Sequence, residues 1–246
     1  MLRLHIVNPN TTASMTQGIA QAARRVAAPD VAIEASEPEF GPASIEGFYD
    51  GAFAVPGMLV RIAEAEKSGC DAHVIACFDD TGLDAARSAA AAPVVGVGEA
   101  AFHVASLIGV KFSVVTTLSR SIPVIEDNLA RYGLDRRCAR VRASEIPVLA
   151  LEADPAAAER LIGAEIERAL KEDGADCIVL GCAGMAALAE RFWARFKVPV
   201  VDGVAAGVGL ATALARLGLR TSKAGAYAAP GPKAYSGLFE RFSPKS

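Results

Sequence analysis

The chain has 246 residues, of which 52% are hydrophobic and 22% charged. This composition supplies enough apolar side chains for a buried core and excludes general disorder. A net charge of −3 gives no reason to expect a nucleic acid or an anionic membrane as partner. The chain shows no apolar export signal and no apolar run near the roughly 20 residues that span a bilayer, so we expect a cytoplasmic protein without a membrane partner.

Short apolar runs alternate with helical patterns along the chain. The first half predicts strands at 2–7, 31–35, 71–77 and 93–97, helices at 13–27, 58–68 and 83–90, and a loop at 38–57. The second half predicts strands at 111–117, 138–142, 176–182 and 199–203, and helices at 120–131, 152–171, 185–195 and 203–217. This alternation is typical of parallel sheets with right-handed crossovers. We expect the tail, 221–246, to pack over the first half.

The second half repeats landmarks of the first. Cys77 and Cys182 end two similar apolar runs and stand 105 positions apart. Pro93 and Pro199 each begin a Pro-Val-Val run, and they stand 106 positions apart. We interpret these nearly equal offsets as an internal duplication of one strand–helix unit.

The duplication predicts an α/β fold with two similar parallel-sheet lobes. We assign residues 1–98 and 206–246 to the first lobe and residues 99–205 to the second. Ligands of open α/β sheets bind at the carboxyl ends of the strands. Cys77 and Cys182 end equivalent strands, so we expect them to face one cleft between the lobes.

The other cysteines and the three histidines suggest no further chemistry. Five cysteines without an export signal do not favour a disulfide framework. The histidines are scattered and no Cys-x-x-Cys pair occurs, so we predict no metal site. We interpret the remaining cysteines as small buried apolar residues: Cys70, Cys138 and Cys177.

Two thiols facing one cleft suit racemisation. Inverting a carbon next to a carbonyl removes a proton from one face and returns one to the other, which requires two acid/base groups in opposite protonation states. A free cysteine has a pKa near 8.5, and helix N-termini or cationic neighbours lower it, so we expect a thiolate to be accessible at neutral pH. General acid–base catalysis is most effective when the pKa lies near the working pH.

Five motifs carry a resemblance to a known family: Val7-Asn-Pro-Asn-Thr-Thr12, Pro42-Ala-Ser-Ile-Glu-Gly47, Ile75-Ala-Cys-Phe-Asp-Asp80, Val114-Val-Thr-Thr-Leu118 and Gly181-Cys-Ala-Gly-Met185. From Leu2 to about Tyr235 the chain resembles the aspartate/glutamate/hydantoin racemase superfamily, and within it the hydantoin and allantoin racemases. The resemblance implies cofactor-independent racemisation through two cysteines, two lobes related by a pseudo-twofold axis, and a homo-oligomer.

The residues after each cysteine favour a neutral ring as substrate. Aspartate and glutamate racemases have Asn-Thr after the first cysteine and Thr after the second, whereas this chain has Phe78-Asp79 and Ala183-Gly184. A hydantoin-type ring, which lacks free carboxylate and ammonium groups, fits better. We expect contacts to the ring from Asn10, Ser44, Phe78, Asp79, Thr116, Thr117, Gly181, Ala183 and Gly184. Helix capping, turn formation or core packing is the alternative role for most of these side chains, and we interpret Asp202 as a helix cap.

The preferred hypothesis is racemisation of 5-substituted hydantoins. Allantoin, a hydantoin with a ureido group at C5, is the closest alternative substrate. Decarboxylases and isomerases of the same superfamily are further alternatives, although the decarboxylases typically need only one of the two cysteines. A non-catalytic two-lobed binding protein is the alternative from a different class.

Overall fold

The computed structural model describes residues 1–244 and contains, within them, eight parallel strands and nine α-helices. Positions 245 and 246, which belong to the predicted first lobe and tail, lie outside the described residues. The strands are β1 (Leu2–Val7), β2 (Val31–Ser36), β3 (Ala72–Ile75), β4 (Val94–Gly96), β5 (Phe112–Thr116), β6 (Cys138–Ala143), β7 (Cys177–Gly181) and β8 (Val200–Asp202). The helices are α1 (Ala13–Val26), α2 (Phe48–Lys67), α3 (Leu83–Ala89), α4 (Val97–Ile108), α5 (Ile122–Arg131), α6 (Ala150–Ala153), α7 (Pro155–Glu172), α8 (Ala189–Phe196) and α9 (Gly203–Arg216).

The strands form two sheets with the same topology. The first sheet has the order β2-β1-β3-β4 and the second β6-β5-β7-β8, and every strand pair is parallel. In each sheet the first strand of the unit lies between the second and the third. The structure therefore confirms the predicted α/β fold with two similar parallel-sheet lobes.

Helices α4 and α9 lie between the two sheets and join their cores. They pack on each other, α9 also packs on β1 and β3, and α4 also packs on β7. The fully buried Phe102 of α4 stacks on Phe112 of β5, with ring centroids 5.9 Å apart, and meets Phe78 edge-on at 5.3 Å. One hydrophobic cluster thus contains side chains from both sheets, and this shared core holds the lobes at either side of the cleft.

The structure differs from the sequence prediction at α2 and α4. Helix α2 begins at Phe48, ten residues before the predicted start, and it continues through Pro56. Glycine at position 57 allows the preceding loop to cross this helix, because a Cβ there would lie 2.7 Å from the Phe40 carbonyl oxygen. No helix was predicted from the sequence at α4, whose residues are mostly apolar and follow the predicted strand at 93–97 without a turn signal.

The tail packs over the first lobe, as expected. Thr221 donates hydrogen bonds from its N–H and its hydroxyl to the carbonyl oxygens of Ala91 and Ala92. Asp202 also has the predicted role, because its carboxylate accepts the N–H groups of Val204 and Ala205 at the start of α9. Within residues 1–244, no helix combines the length and the apolar character needed to cross a membrane.

Candidate active site

Cys77 and Cys182 occupy equivalent places in the two lobes. Cys77 lies two residues after the end of β3, and Cys182 follows β7 directly. The carbonyl oxygen of each cysteine accepts a hydrogen bond of 3.0 Å from the backbone N–H three residues later. Each strand therefore turns sharply after its cysteine, which places both thiols at the carboxyl edge of their sheets.

The same turn brings a backbone donor to each sulfur. The backbone N–H of Asp79 lowers the pKa of Cys77, and the backbone N–H of Gly184 lowers the pKa of Cys182. Both donors stand two residues after their cysteine. The duplication thus reproduces the backbone environment of the sulfur in both lobes.

Both cysteines line one small pocket between the lobes. Its volume is about 30 Å³, which is close to the share of one molecule in liquid water. Ligand pockets typically measure about 300–1,000 Å³. The structure therefore describes a closed form of the site, and a five-membered ring can enter only after lining groups move.

Seven of the nine predicted ring contacts lie on the wall of this pocket: Asn10, Phe78, Asp79, Thr116, Thr117, Gly181 and Ala183. Ser44 does not line the pocket, because the loop turns its neighbour Ile45 inward instead. Gly184 is likewise absent from the wall, although its backbone N–H lowers the pKa of Cys182.

Asn10 is oriented by hydrogen bonds to its amide oxygen. Its Oδ1 accepts from Asn8 Nδ2 and from the N–H of Thr12, both at 2.9 Å. An amide whose oxygen accepts two donors presents its nitrogen on the other side. The Asn10 Nδ2 points toward Met15, whose sulfur is 3.8 Å away, and Asn10 therefore offers the pocket a hydrogen-bond donor.

Thr116 and Gly181 hold β5 and β7 close together at the pocket floor. The Thr116 hydroxyl donates to the Gly181 carbonyl oxygen at 2.9 Å. A Cβ at Gly181 would lie 2.8 Å from Thr116 Cβ, a separation that side chains do not tolerate. The Thr116 hydroxyl proton is committed to the sheet edge, which leaves its oxygen as an acceptor only.

Desolvation in the pocket raises the pKa of both thiols. Desolvation raises the pKa of Cys77 well above its ordinary value, and the nearby Asp79 carboxylate raises it further. Desolvation also raises the pKa of Cys182 to about 12, against the opposing effect of the Gly184 N–H, and the charges of Asp79 and Glu46 add to the rise. The expectation that neighbours lower these pKa values is wrong for this closed form, because desolvation outweighs the N–H donors and the nearby charges are anionic.

Asp79 is the charged side chain that acts on both thiols. Burial raises the pKa of Asp79 to about 7. The carboxylate thus gains or loses its proton near neutral pH, and its charge changes the pKa of both cysteines. The pKa values of Cys77 and Cys182 therefore depend on whether Asp79 is ionised.

Sequence reasoning missed five lining residues: Met15, Ile45, Ala76, Ser121 and Val148. Met15 and Val148 come from segments far from either cysteine in the sequence, and their apolar character resembles that of any core residue. Ile45 stands in the Pro42–Gly47 motif, which the sequence analysis did single out.

A second cavity lies directly behind the pocket. Its volume is about 320 Å³. Met15 and Ala183 line both spaces, and apolar side chains such as Ile19 and Leu151 line the larger one. Methionine is a flexible side chain, and Met15 therefore stands between the two spaces as their most adaptable shared wall residue.

Comparisons with known proteins identify the family. The family model described as Asp/Glu/Hydantoin racemase matches residues 4–211. The chain belongs to this family. It is accordingly an isomerase of the racemase type, as the sequence analysis predicted, and an enzyme rather than a binding protein.

The individual relatives agree with this assignment. The chain is 52% identical to a hydantoin racemase of Rhizobium meliloti over 96% of this chain and 98% of the relative. It is 43% identical to a hydantoin racemase of Pseudomonas sp. (strain NS671) over 98% of this chain and 97% of the relative. A solved allantoin racemase from Klebsiella pneumoniae superposes with a TM-score of 0.96 at 46% identity, covering 100% of both chains.

Proposed function

We propose that this racemase inverts C5 of 5-substituted hydantoins by a two-base mechanism in which Cys77 and Cys182 exchange one proton each with opposite faces of the ring. The observation that carries the proposal is the placement of both thiols on one pocket between duplicated lobes. The high identity to named hydantoin racemases supports the choice of substrate.

In the proposed reaction, the thiolate of one cysteine removes the C5 proton, and the thiol of the other donates a proton to the opposite face. The first cysteine leaves the reaction as a thiol and the second as a thiolate, so the enzyme is ready for the other enantiomer. A raised thiol pKa makes the thiolate rare in the free enzyme, but it also makes that thiolate a stronger base toward a weakly acidic carbon. The reaction needs no cofactor, since the C4 carbonyl already acidifies C5.

The carbanion at C5 delocalises its charge onto the C4 oxygen. The Nδ2 of Asn10 is our candidate donor to that oxygen, because its orientation is fixed by two hydrogen bonds on the Oδ1 side. Asp79 is our candidate acceptor for a ring N–H. Accepting this donor places a positive dipole next to the carboxylate, which reduces the repulsion that raises both thiol pKa values.

The C5 substituent has an apolar place to go. Ile45, Phe78 and Val148 give the pocket an apolar wall, and the cavity behind Met15 extends it. Because the side chains of Ile45, Phe78 and Val148 offer no hydrogen bond to a polar ureido group, we expect apolar C5 substituents to react faster than allantoin. Allantoin stays the second candidate substrate, and the close superposition on an allantoin racemase favours it.

Polarimetry of purified protein, with no added metal or cofactor, tests the proposal. L-5-benzylhydantoin and L-allantoin are compared directly. We expect the optical rotation of L-5-benzylhydantoin to decay to zero and that of L-allantoin to decay more slowly. The double variant Cys77→Ala/Cys182→Ala is the control and should leave the rotation unchanged. Faster decay with allantoin would reverse the substrate assignment, and equal decay with the double variant would refute the two-thiol mechanism.

Proton exchange in deuterated water tests the division of labour between the thiols. We expect Cys77→Ser and Cys182→Ser each to exchange the C5 proton of one enantiomer while losing racemisation. Equal exchange of both enantiomers by both variants would contradict the assignment of one cysteine to each hand.

A homo-oligomeric state and a cytoplasmic location stay predictions of the sequence, and sedimentation of the purified protein tests the first.

A further inference from the structure

Three side chains with metal-ligating atoms converge in the first lobe, away from the pocket. His73 Nε2 lies 2.9 Å from Glu66 Oε1 and 3.2 Å from Cys70 Sγ, and the three ligand atoms all lie within 4.8 Å of one another. Glu66 belongs to the last turn of α2, Cys70 to the following turn and His73 to β3. His73 precedes Cys77 by four residues of extended chain, or about 13 Å, so this cluster is separate from the catalytic thiols.

We infer that Glu66, Cys70 and His73 form a binding site for a divalent transition metal of the zinc type. A thiolate and an imidazole prefer zinc-like ions over magnesium or calcium. Tetrahedral zinc, with bonds of about 2.0–2.3 Å, needs its ligand atoms about 3.4–3.6 Å apart. The two spacings from His73 Nε2 are shorter by a few tenths of an ångström, and the third lies within 4.8 Å, so small side-chain movements would admit the ion, with water as the fourth ligand.

The charges of the site match a divalent ion. The Glu66 carboxylate and a Cys70 thiolate supply two negative charges, and a neutral His73 supplies none. The loaded site would therefore be neutral, which matters because Cys70 and His73 are buried and an unbalanced buried charge is costly. Binding would release the Cys70 proton to solvent, since the metal ligand is the thiolate.

Behind the ligands, a hydrogen-bonded chain sets the histidine tautomers. The parallel register of β1 and β3 pairs His5 with His73. Their Nδ1 atoms are 3.0 Å apart, and His5 Nε2 is 2.7 Å from Ser36 Oγ. With a metal on His73 Nε2, the His73 proton stays on Nδ1 and is donated to His5 Nδ1, while His5 Nε2–H donates to Ser36. Metal-binding histidines usually have such an acceptor on their second nitrogen.

Without the metal, and with His73 neutral, the protons along these hydrogen bonds run the other way. His73 Nε2 then donates to Glu66 Oε1, and His73 Nδ1 accepts from His5 Nδ1–H. His5 Nε2 in turn accepts from the Ser36 hydroxyl. Loading the site thus switches the tautomer of both histidines, which gives the proposal a signature that does not depend on enzyme activity.

The site would also fasten the tail. Glu66 accepts the backbone N–H groups of Ala91 and Ala92, each at 3.0 Å, and the carbonyl oxygens of the same two residues bind Thr221. A metal on Glu66 would therefore link α2, β3, the 91–92 loop and the start of the tail. We expect it to stabilise the first lobe rather than to take part in racemisation.

Chelator-dialysed protein titrated with Zn²⁺ and with Co²⁺ tests the inference. We expect one ion per chain by elemental analysis, a thiolate-to-cobalt charge-transfer band, and a higher thermal midpoint with Zn²⁺. The band should persist in Cys77→Ala/Cys182→Ala and in Cys138→Ala, and it should be lost in Cys70→Ala. Loss of the band in the catalytic double variant and its persistence in Cys70→Ala would overturn the site.

Two measurements apply even if Cys70→Ala fails to fold. In the wild type, imidazole ¹⁵N shifts should show both histidines changing tautomer on addition of Zn²⁺, and unchanged shifts at saturating Zn²⁺ would overturn the proposal. His5→Leu leaves the three ligands in place but removes the acceptor of the His73 Nδ1–H, so we expect about 10–100-fold weaker Zn²⁺ affinity. Unchanged affinity in His5→Leu would contradict the proposed row of hydrogen bonds.

Discussion

The Glu46 carboxylate accepts a hydrogen bond of 2.9 Å from the backbone N–H of Val148, and this bond joins the two lobes across the mouth of the pocket. Its neighbour Ile45 and Val148 itself both contribute side chains to the pocket wall. The pocket of about 30 Å³ is closed where this bond holds the two loops together. We interpret the Glu46–Val148 bond as a latch that must open for substrate and close again around it.

Glu46→Ala tests the latch. Loss of a hydrogen bond between a carboxylate and a backbone N–H removes about 1.5–3 kcal/mol from the closed form, so we expect KM for a 5-substituted hydantoin to rise by about tenfold or more. Glu46→Gln keeps an acceptor oxygen and should raise KM less. Steady-state kinetics of the three proteins checks this, and equal KM values in all three would show that the loops close without the bond.

Thr81 distinguishes the two thiol environments. Its Oγ1 lies 3.4 Å from Cys77 Sγ, and this contact lowers the pKa of Cys77 against the larger effect of burial. The matching position in the second copy is Ala186, 105 residues later, which has no hydroxyl. The backbone around the two cysteines is therefore alike in both copies, but only Cys77 has a hydroxyl group at this position.

Thr81→Val should make Cys77 less acidic. Loss of one hydrogen bond to a thiolate is worth about 1.4 kcal/mol, or one pKa unit, so alkylation of Cys77 by iodoacetamide should slow about tenfold at a given pH. Alkylation of Cys182 in the same sample is the internal reference, and Thr81→Ser should behave like the wild type. Equal slowing of both cysteines would indicate a general disturbance of the pocket instead.

Asp79 should make thiol reactivity depend on its own ionisation. Above a pH of about 7, the wild-type carboxylate is charged and raises the pKa of both cysteines. Asp79→Asn lacks this charge, so we expect several-fold faster alkylation of both thiols at pH 8.5 and rates close to the wild type at pH 5.5, where Asp79 is protonated. Asp135→Asn, at an exposed position, serves as the control. A constant ratio of rates at both pH values would contradict this role.

The same group affects stability with a defined sign. The folded-state pKa of Asp79 is about 7, above the unfolded value of about 3.9. The folded protein therefore binds this proton more tightly, and its contribution to stability is complete below pH 4 and is lost as the pH rises toward 7. Denaturant unfolding should show a smaller loss of stability between pH 4 and pH 7 in Asp79→Asn than in the wild type.

The parts of the structure that the sequence predicted are those set by local pattern. Period, turn residues and the repeat located the strands and placed Cys77 and Cys182 at equivalent strand ends. The thiol pKa values were not predictable, because they depend on burial from all sides and on the distance to Asp79. His5 and His73 looked scattered, since 68 residues separate them, and only the register of β1 against β3 brings them together.

In the loops, too, the sequence pattern does not determine which side chains face the pocket. Within Pro42–Gly47 the motif drew attention to Ser44, yet Ile45 lines the pocket. The direction of each side chain there is set by contacts with the second lobe, among them the Glu46–Val148 bond. Sequence pattern identifies such a segment, whereas which residue faces the substrate depends on tertiary packing.

Met15 lines both the closed pocket and the neighbouring cavity of about 320 Å³, and we expect it to form a partition that limits the size of the C5 substituent. Met15→Ala removes that partition, so the ratio of kcat/KM for 5-benzylhydantoin to that for 5-methylhydantoin should rise about 10-fold or more, since burial of the added aromatic surface is worth over 1.4 kcal/mol. Met15→Leu keeps the volume and should leave the ratio near the wild-type value. Because Met15 also lies 3.8 Å from Asn10 Nδ2, both variants should lose some activity with every hydantoin, and the ratio is the quantity that reports the partition. An unchanged ratio in Met15→Ala would mean that the substituent occupies the side of Ile45 and Val148 instead.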